Sequence, residues 1–254
     1  MLGITAKTVT TIYGDLSYYR LKSDKNHKNF DILFIHGLGG DKSWFLEQCE
    51  HFSLGKYSWI VPDLIGYGSS AKPREKYAYS MDQQAKYLVK VLKEEQVKSI
   101  MILAHSMGGP IAISLIEQLK EQGDIKIKGL LYLEGNLDIN DAFFSSEIAN
   151  KSFNEFESQF EPWTEYVEAY PVWASSLDLV NVSDSNQLLI RLQRCLTFPV
   201  HFIFGEKNKG RFTSEKLVEE SGLNLKFIPN TGHFMHMENP SDFWNLVIEL
   251  IQIL

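Results

Sequence analysis

The chain alternates between two hydrophobic patterns. Short, nearly continuous apolar runs occur at Phe30-Asp-Ile-Leu-Phe-Ile35, Trp59-Ile-Val61, Ile100 to Ala104, Ile125 to Leu133, Pro199 to Phe204 and Leu225 to Ile228. Strands covered on both faces of a sheet read this way, without polar alternation. Between them lie stretches of helical spacing. Met81, Ala85, Leu88, Val89 and Leu92 share one face, as do Ile111, Leu115 and Leu119, and Phe243, Trp244, Val247, Leu250 and Ile251. Strand followed by helix, repeated, predicts an α/β fold with a mainly parallel, doubly wound sheet.

Local signals mark the ends of these elements. Ser80-Met-Asp-Gln83 has the spacing of a capping box, Gly123 is placed to stop a helix, and Asn239-Pro240 opens the last one as cap and first residue. Helices are also predicted over Ser43 to Phe52 and Thr213 to Ser221. The N-terminal Lys7 to Tyr13 and Leu16 to Leu21 predict a hairpin turning at Gly14-Asp15, with a polar loop from Ser23 to Asn29.

From Gly135 to about Thr197 the pattern changes. Strand-like runs vanish, and phenylalanine, tyrosine and tryptophan recur at spacings of three and four, including Phe143, Phe144, Trp163 and Trp173. Short helices are expected there. The division predicted is residues 1–134 and 198–254 as one core, with 135–197 as an inserted helical cap. Most of the cap's aromatics are expected to pack it onto the body, because aromatics dominate packing generally.

The length of 254 residues fits one large α/β domain. No apolar run approaches the roughly 18 residues of a membrane span, so integral membrane association is not expected. The first residues lack a basic-then-apolar signal pattern, which makes the cytoplasm the default location. The net charge of −7 disfavours nucleic acid, which needs a basic face. Cys49 and Cys195 suit a reducing compartment and form no metal-ligand cluster. Oligomeric state is not readable from the sequence.

Candidate chemistry centres on Ile100-Met-Ile-Leu-Ala-His-Ser-Met-Gly-Gly-Pro110. A strand, a sharp turn and a helix put Ser106 at the tip, with small neighbours Ala104 and Gly108 on either side. Such a turn strains the backbone by roughly 1–3 kcal/mol and leaves the serine hydroxyl exposed beside a helix start. An ordinary strand-to-helix turn is the bland alternative. The segment resembles the nucleophile elbow, G-x-S-x-G, of the α/β-hydrolase family, with Ala104 in place of the first glycine. Three further segments resemble that family in the same order: His36-Gly-Leu-Gly-Gly40, Asp63-Leu-Ile-Gly-Tyr-Gly-Ser-Ser70, and Gly232-His-Phe before Glu238-Asn-Pro240. The resemblance covers about residues 10 to 254. It implies the α/β-hydrolase fold with a helical cap inserted after the sixth strand.

It also implies roles. Ser106 would be the nucleophile, His233 the base, and the N–H groups of Leu38 and Met107 an oxyanion hole. Asp63 would stabilise a turn, His36 and His105 would shape the site, and His236 would be a surface or structural histidine. The acid is where the chain departs from the family. The usual position falls in Gly205-Glu-Lys-Asn208, at an asparagine, which cannot stabilise imidazolium by charge. Glu134, directly after the sixth strand, is the preferred acid, with Glu206, Asn208 and Asp138 as alternatives. Serine at the elbow argues against the dehalogenases and epoxide hydrolases of this fold, which carry aspartate. The reading is a serine carboxylic-ester hydrolase, thioesters included, working through an acyl-serine on a small apolar substrate, with no cofactor and no metal. The alternatives are an acyltransferase, a C–C bond hydrolase, or a non-hydrolytic binding protein on the same fold.

Overall fold

The structure is a computed structural model that describes residues 3–24, 29–46, 56–185 and 187–253. Among the described residues eight strands form one sheet: β1 (Ile4–Thr11), β2 (Gly14–Leu21), β3 (Asp31–Ile35), β4 (Ser58–Pro62), β5 (Ser99–His105), β6 (Lys126–Leu133), β7 (Val200–Gly205) and β8 (Asn224–Ile228). Their order across the sheet is β1-β2-β4-β3-β5-β6-β7-β8. β1 pairs with β2 and β2 with β4 in antiparallel fashion, and every later pair is parallel.

The apolar runs become strands because both faces are covered. On one face Leu33, Ile35, Ile102 and Ala104 join a core with helices α1 (Met81–Glu94) and α2 (Gly108–Gln122). On the other, Ile32, Phe34, Met101 and Leu103 pack with Trp244, Val247 and Leu250 of the C-terminal helix. The end signals act as expected at three places. The Ser80 hydroxyl accepts from the Gln83 N–H at 3.2 Å, Gly123 ends α2 at a φ of +72°, and the Asn239 side chain caps the helix that Pro240 opens.

The hairpin turns two residues earlier than predicted, at Ile12-Tyr13. Gly14 opens β2 and pairs with Thr11, which puts Val9 opposite Leu16, both of them buried. Burial of that pair sets the register, and the turn follows from it. Residues 43–46 are helical. The rest of the helix predicted to Phe52, residues 25–28 of the polar loop, and Cys49 lie outside the described residues. Cys195 is buried and free.

Between β6 and β7 the chain inserts a short 3-10 turn, Ile139–Ala142, and four helices: α3 (Phe143–Ala149), α4 (Phe153–Gln159), α5 (Ala169–Asp184) and α6 (Leu188–Cys195). After β7 come α7 (Thr213–Glu220), a single helical turn at Met235–Glu238, and α8 (Pro240–Gln252). Among the described residues no helix is long and apolar enough to cross a membrane.

Candidate active site

β5 is buried along its whole length between β3 and β6, and Ser106 follows it at a φ of +55°. A left-handed serine between strand and helix is strained, and its surroundings hold it there. Its N–H donates to the Leu133 carbonyl at 2.9 Å. The loop after β3 lies directly against it: a Cβ on Gly37 would sit 2.9 Å from the Ser106 Cβ, and one on Gly108 would sit 2.6 Å from the Ile35 carbonyl oxygen. Glycine is required at both places by this close approach. Ala104 is fully buried, so a small side chain suffices at the position where it departs from the motif.

Glu134 directly follows β6 in the same unusual backbone region, at a φ of +40°. Its carboxylate lies 2.8 Å from His233 Nδ1. Two further donors hold it. Gly205 N–H donates to Oε1 at 2.6 Å, and the Asn208 amide donates to both oxygens, at 3.0 and 2.9 Å. The four candidates for the acid are thereby separated. Glu134 meets the imidazole, and Asn208 meets Glu134. Exposed Glu206 accepts from the Asn230 N–H, while Asp138 caps the 3-10 turn and accepts from the Thr213 hydroxyl. Ser106 and His233 line one cavity, but no hydrogen bond joins their side chains. In ligand-free sites this contact is commonly long, tightening only around substrate.

Of the four buried histidines among the described residues, His36, His105 and His236 lie around the site. His36 donates from Nδ1 to the Gly37 carbonyl (2.8 Å), and its Nε2 accepts the Leu64 N–H (3.0 Å). These bonds fix one neutral tautomer and tie the loop after β3 to the loop after β4. His105 donates from Nε2 to the His233 carbonyl at 2.9 Å. Burial holds His105 well below the ordinary histidine range, and His233 beside it adds to the effect. His236 is wholly buried among Phe45, Trp44 and Phe243, and burial pushes it down to about 3. Of its two expected placements, surface and structural, the second holds. Asp63 accepts from the backbone N–H groups of Lys42 and Ser69, both at 2.7 Å, and pairs with the Lys42 ammonium. It braces its own loop, as a turn-stabilising carboxylate should.

The cavity has a volume of about 690 Å³. Leu38, Ser106, Glu134 and His233 all line it. Met107 is buried and sits directly before the first residue of α2. Of the aromatics inserted after β6, Phe143, Phe144 and Trp163 line the cavity, and Trp163 donates its indole N–H to the Gly39 carbonyl at 3.2 Å. Trp173 does not reach it. That ring packs on Phe153 and Tyr170 and donates to the Lys151 carbonyl. Among the described residues no group of three His, Cys, Asp or Glu side chains is placed to hold a metal ion.

A sequence model described as the alpha/beta hydrolase fold matches residues 32–172, more than half of the chain. The chain belongs to the alpha/beta hydrolase fold family. Within that family it is 24% identical over 237 residues to the probable lysophospholipase BODYGUARD 2 of Arabidopsis thaliana, covering 85% of this chain and 48% of that one. It is 32% identical over 112 residues to Lipase 3 of Moraxella sp. (strain TA144), covering 44% and 34% of the two chains. The chain thus spans about half or less of the length of these curated relatives. Among solved alpha/beta hydrolase structures, the esterase EaEST from Exiguobacterium antarcticum aligns over 98% of this chain and 100% of its own, with a TM-score of 0.73 at 16% identity. That likeness concerns the fold.

Proposed function

We propose that this alpha/beta hydrolase is a serine hydrolase of carboxylic esters. The observation that carries the reading is the bond from Glu134 to His233 at 2.8 Å, on the cavity that also takes the strained Ser106. Serine is a poor nucleophile unless a base removes its proton, and the base needs an orienting acceptor. In this reading Ser106 Oγ attacks the ester carbonyl and His233 Nε2 takes the hydroxyl proton. Glu134 holds Nδ1–H and stabilises the imidazolium. The N–H groups of Leu38 and Met107 bind the developing oxyanion, and losing one such donor typically costs roughly 10²–10³ in rate. The C–O bond to the leaving alcohol then breaks, with His233 returning its proton to that oxygen. Water, deprotonated by the same histidine, frees the acid and restores Ser106.

The lipase and lysophospholipase relatives support an ester substrate, and so does the largely apolar lining of the cavity. Residues 135–197 act in this reading as a cap that supplies Phe143, Phe144 and Trp163 to the substrate. The test is labelling with a fluorophosphonate probe, followed by mass-spectrometric mapping of the adduct. A phosphonylated Ser106 and turnover of p-nitrophenyl acetate are expected. An adduct elsewhere, or none alongside absent turnover, would sink the reading.

A further inference from the structure

The cavity is not uniformly apolar. Asn136 and Ser145 line it, and their residues are only 5% and 4% exposed. Neither the Asn136 amide nor the Ser145 hydroxyl makes a hydrogen bond among the described residues, and neither is sealed off from the cavity, so both stay open to a ligand there. Their backbones are fixed. The Asn136 carbonyl accepts the Tyr132 hydroxyl at 2.6 Å, and Ser145 lies in the first turn of α3.

Asp141 joins these two side chains into one wall. It stands four residues before Ser145, in the 3-10 turn that leads into α3, and it also lines the cavity. Its Oδ2 accepts the N–H groups of Leu137 and Asp138 at 2.7 and 3.2 Å, which places Asn136 next to it in the chain. Its Oδ1 accepts the Ser214 hydroxyl at 2.9 Å, and Ser214 lines the cavity too. Asp138 lies behind, caps the same turn, and is itself buried. The polar wall therefore offers one free amide and one free hydroxyl beside the Asp141 carboxyl, and no lysine or arginine lines the cavity.

We propose that Asn136 and Ser145 form a polar subsite that takes an uncharged hydroxyl group carried by the substrate, next to the ester bond cleaved at Ser106. This rests on the serine-esterase reading and narrows its substrate class, from plain hydrocarbon esters to hydroxylated ones. A hydroxyl both donates and accepts, as do the two free side chains, so it satisfies both at once. An anionic group would meet the Asp141 and Glu134 carboxyl groups that line the cavity. A hydrocarbon chain would leave the amide and the hydroxyl unpaired, and sites built to bond a hydroxyl discriminate strongly against analogues that lack it.

The experiment compares ethyl hexanoate, ethyl 3-hydroxyhexanoate and ethyl 6-hydroxyhexanoate. Binding to the Ser106→Ala protein is measured by calorimetry, with and without Asn136→Ala or Ser145→Ala, after circular dichroism has checked each fold. At least one hydroxylated ester is expected to bind about tenfold tighter than ethyl hexanoate, and each second substitution should erase most of that preference. Equal affinities for all three esters, or a preference that neither substitution changes, overturns the subsite. Hydrolysis of p-nitrophenyl acetate by the unsubstituted protein is read separately. Its failure overturns the esterase reading, whereas the binding ratios decide the subsite without any turnover.

Discussion

His105 donates its Nε2–H to the backbone oxygen of His233 at 2.9 Å, across 128 residues of sequence. The residue just before Ser106 thus holds the loop that presents the imidazole paired with Glu134. The bond needs a proton on Nε2, and burial favours the neutral ring, which leaves Nδ1 without one. Its Nδ1 has no partner and faces the Gly37 backbone, so the ring serves the loop through one nitrogen alone. The strained serine, the loop after β3 and the histidine loop are locked together through this side chain.

Buried neutral histidines make folding sensitive to acid. His36, His105 and His236 all lie below their unfolded value of about 6.5 because of burial. A depressed histidine contributes stability above pH 6.5 that is lost as pH falls, because the unfolded chain binds protons the folded one refuses. Each group adds up to about 1.4 kcal/mol per pH unit in that range. Urea unfolding should show stability dropping steeply from pH 6.5 downward. His236→Phe should flatten the slope, since both His236 nitrogens lack partners and its neighbours Phe45 and Phe243 accept a ring. Equal slopes in the two proteins would refute this account.

The strain at Ser106 gives a prediction that separates stability from activity. Ser106→Gly removes the side chain at a φ of +55° and should stabilise the fold by about 1 kcal/mol, a rise of roughly 2–4 °C in Tm for a chain of this size. Ser106→Ala keeps the strain and should leave Tm nearly unchanged. Both should abolish ester turnover, down to a background of about 10³–10⁴ over water from binding and the oxyanion donors. A glycine variant less stable than the alanine variant would mean that the backbone there is not strained.

The core of the fold was legible in the sequence because doubly buried strands have one signature and β5 carries it unbroken. What was not legible depended on distant partners. Val9 and Leu16 fix the hairpin register only once β2 lies against β4, so the glycine pair was read as the turn. Trp163 and Trp173 look alike in a segment of helical aromatics, yet only the fold brings Trp163 beside Gly39. Asn208 stood at the usual acid position and was weighed as a poor acid. Its part as a donor to Glu134, 74 residues away, needs β6 and β7 side by side. Asn136 and Ser145 had no signal at all, because an unpaired polar group shows only after everything around it is placed.

The two tryptophans should behave differently. Trp163 lines the cavity, so Trp163→Ala should change the relative kcat/KM for butyrate, hexanoate and octanoate p-nitrophenyl esters by about tenfold, the scale of a few methylene contacts. Trp173→Ala should lower Tm through its lost contacts with Phe153 and Tyr170 and leave those ratios alone. If Trp173→Ala shifts chain-length preference and Trp163→Ala does not, the cavity has been assigned the wrong wall.

The last prediction uses the pairing of Glu134 with Asn208. The Glu134 carboxylate accepts from Gly205 N–H, from the Asn208 amide and from His233 Nδ1. Glu134→Gln supplies one acceptor oxygen where the carboxylate has two, and turns an amide N–H toward these donors. It should lose roughly 10⁴ in kcat/KM, because no charge remains to stabilise imidazolium, and it should also lower Tm. Asn208→Asp should fail for the opposite reason. Two carboxylates would share one site, one of them would hold a proton at neutral pH, and the pH profile of kcat/KM would move. Combining them as Glu134→Gln with Asn208→Asp restores one donor facing one acceptor. The double variant should therefore regain most of the Tm lost by either single change. Its turnover should stay low, because the charge then sits at position 208, on the far side of the amide from the imidazole. A double variant as active as the unsubstituted protein would show that the negative charge need not touch His233 at all, and the acid role assigned to Glu134 would fall.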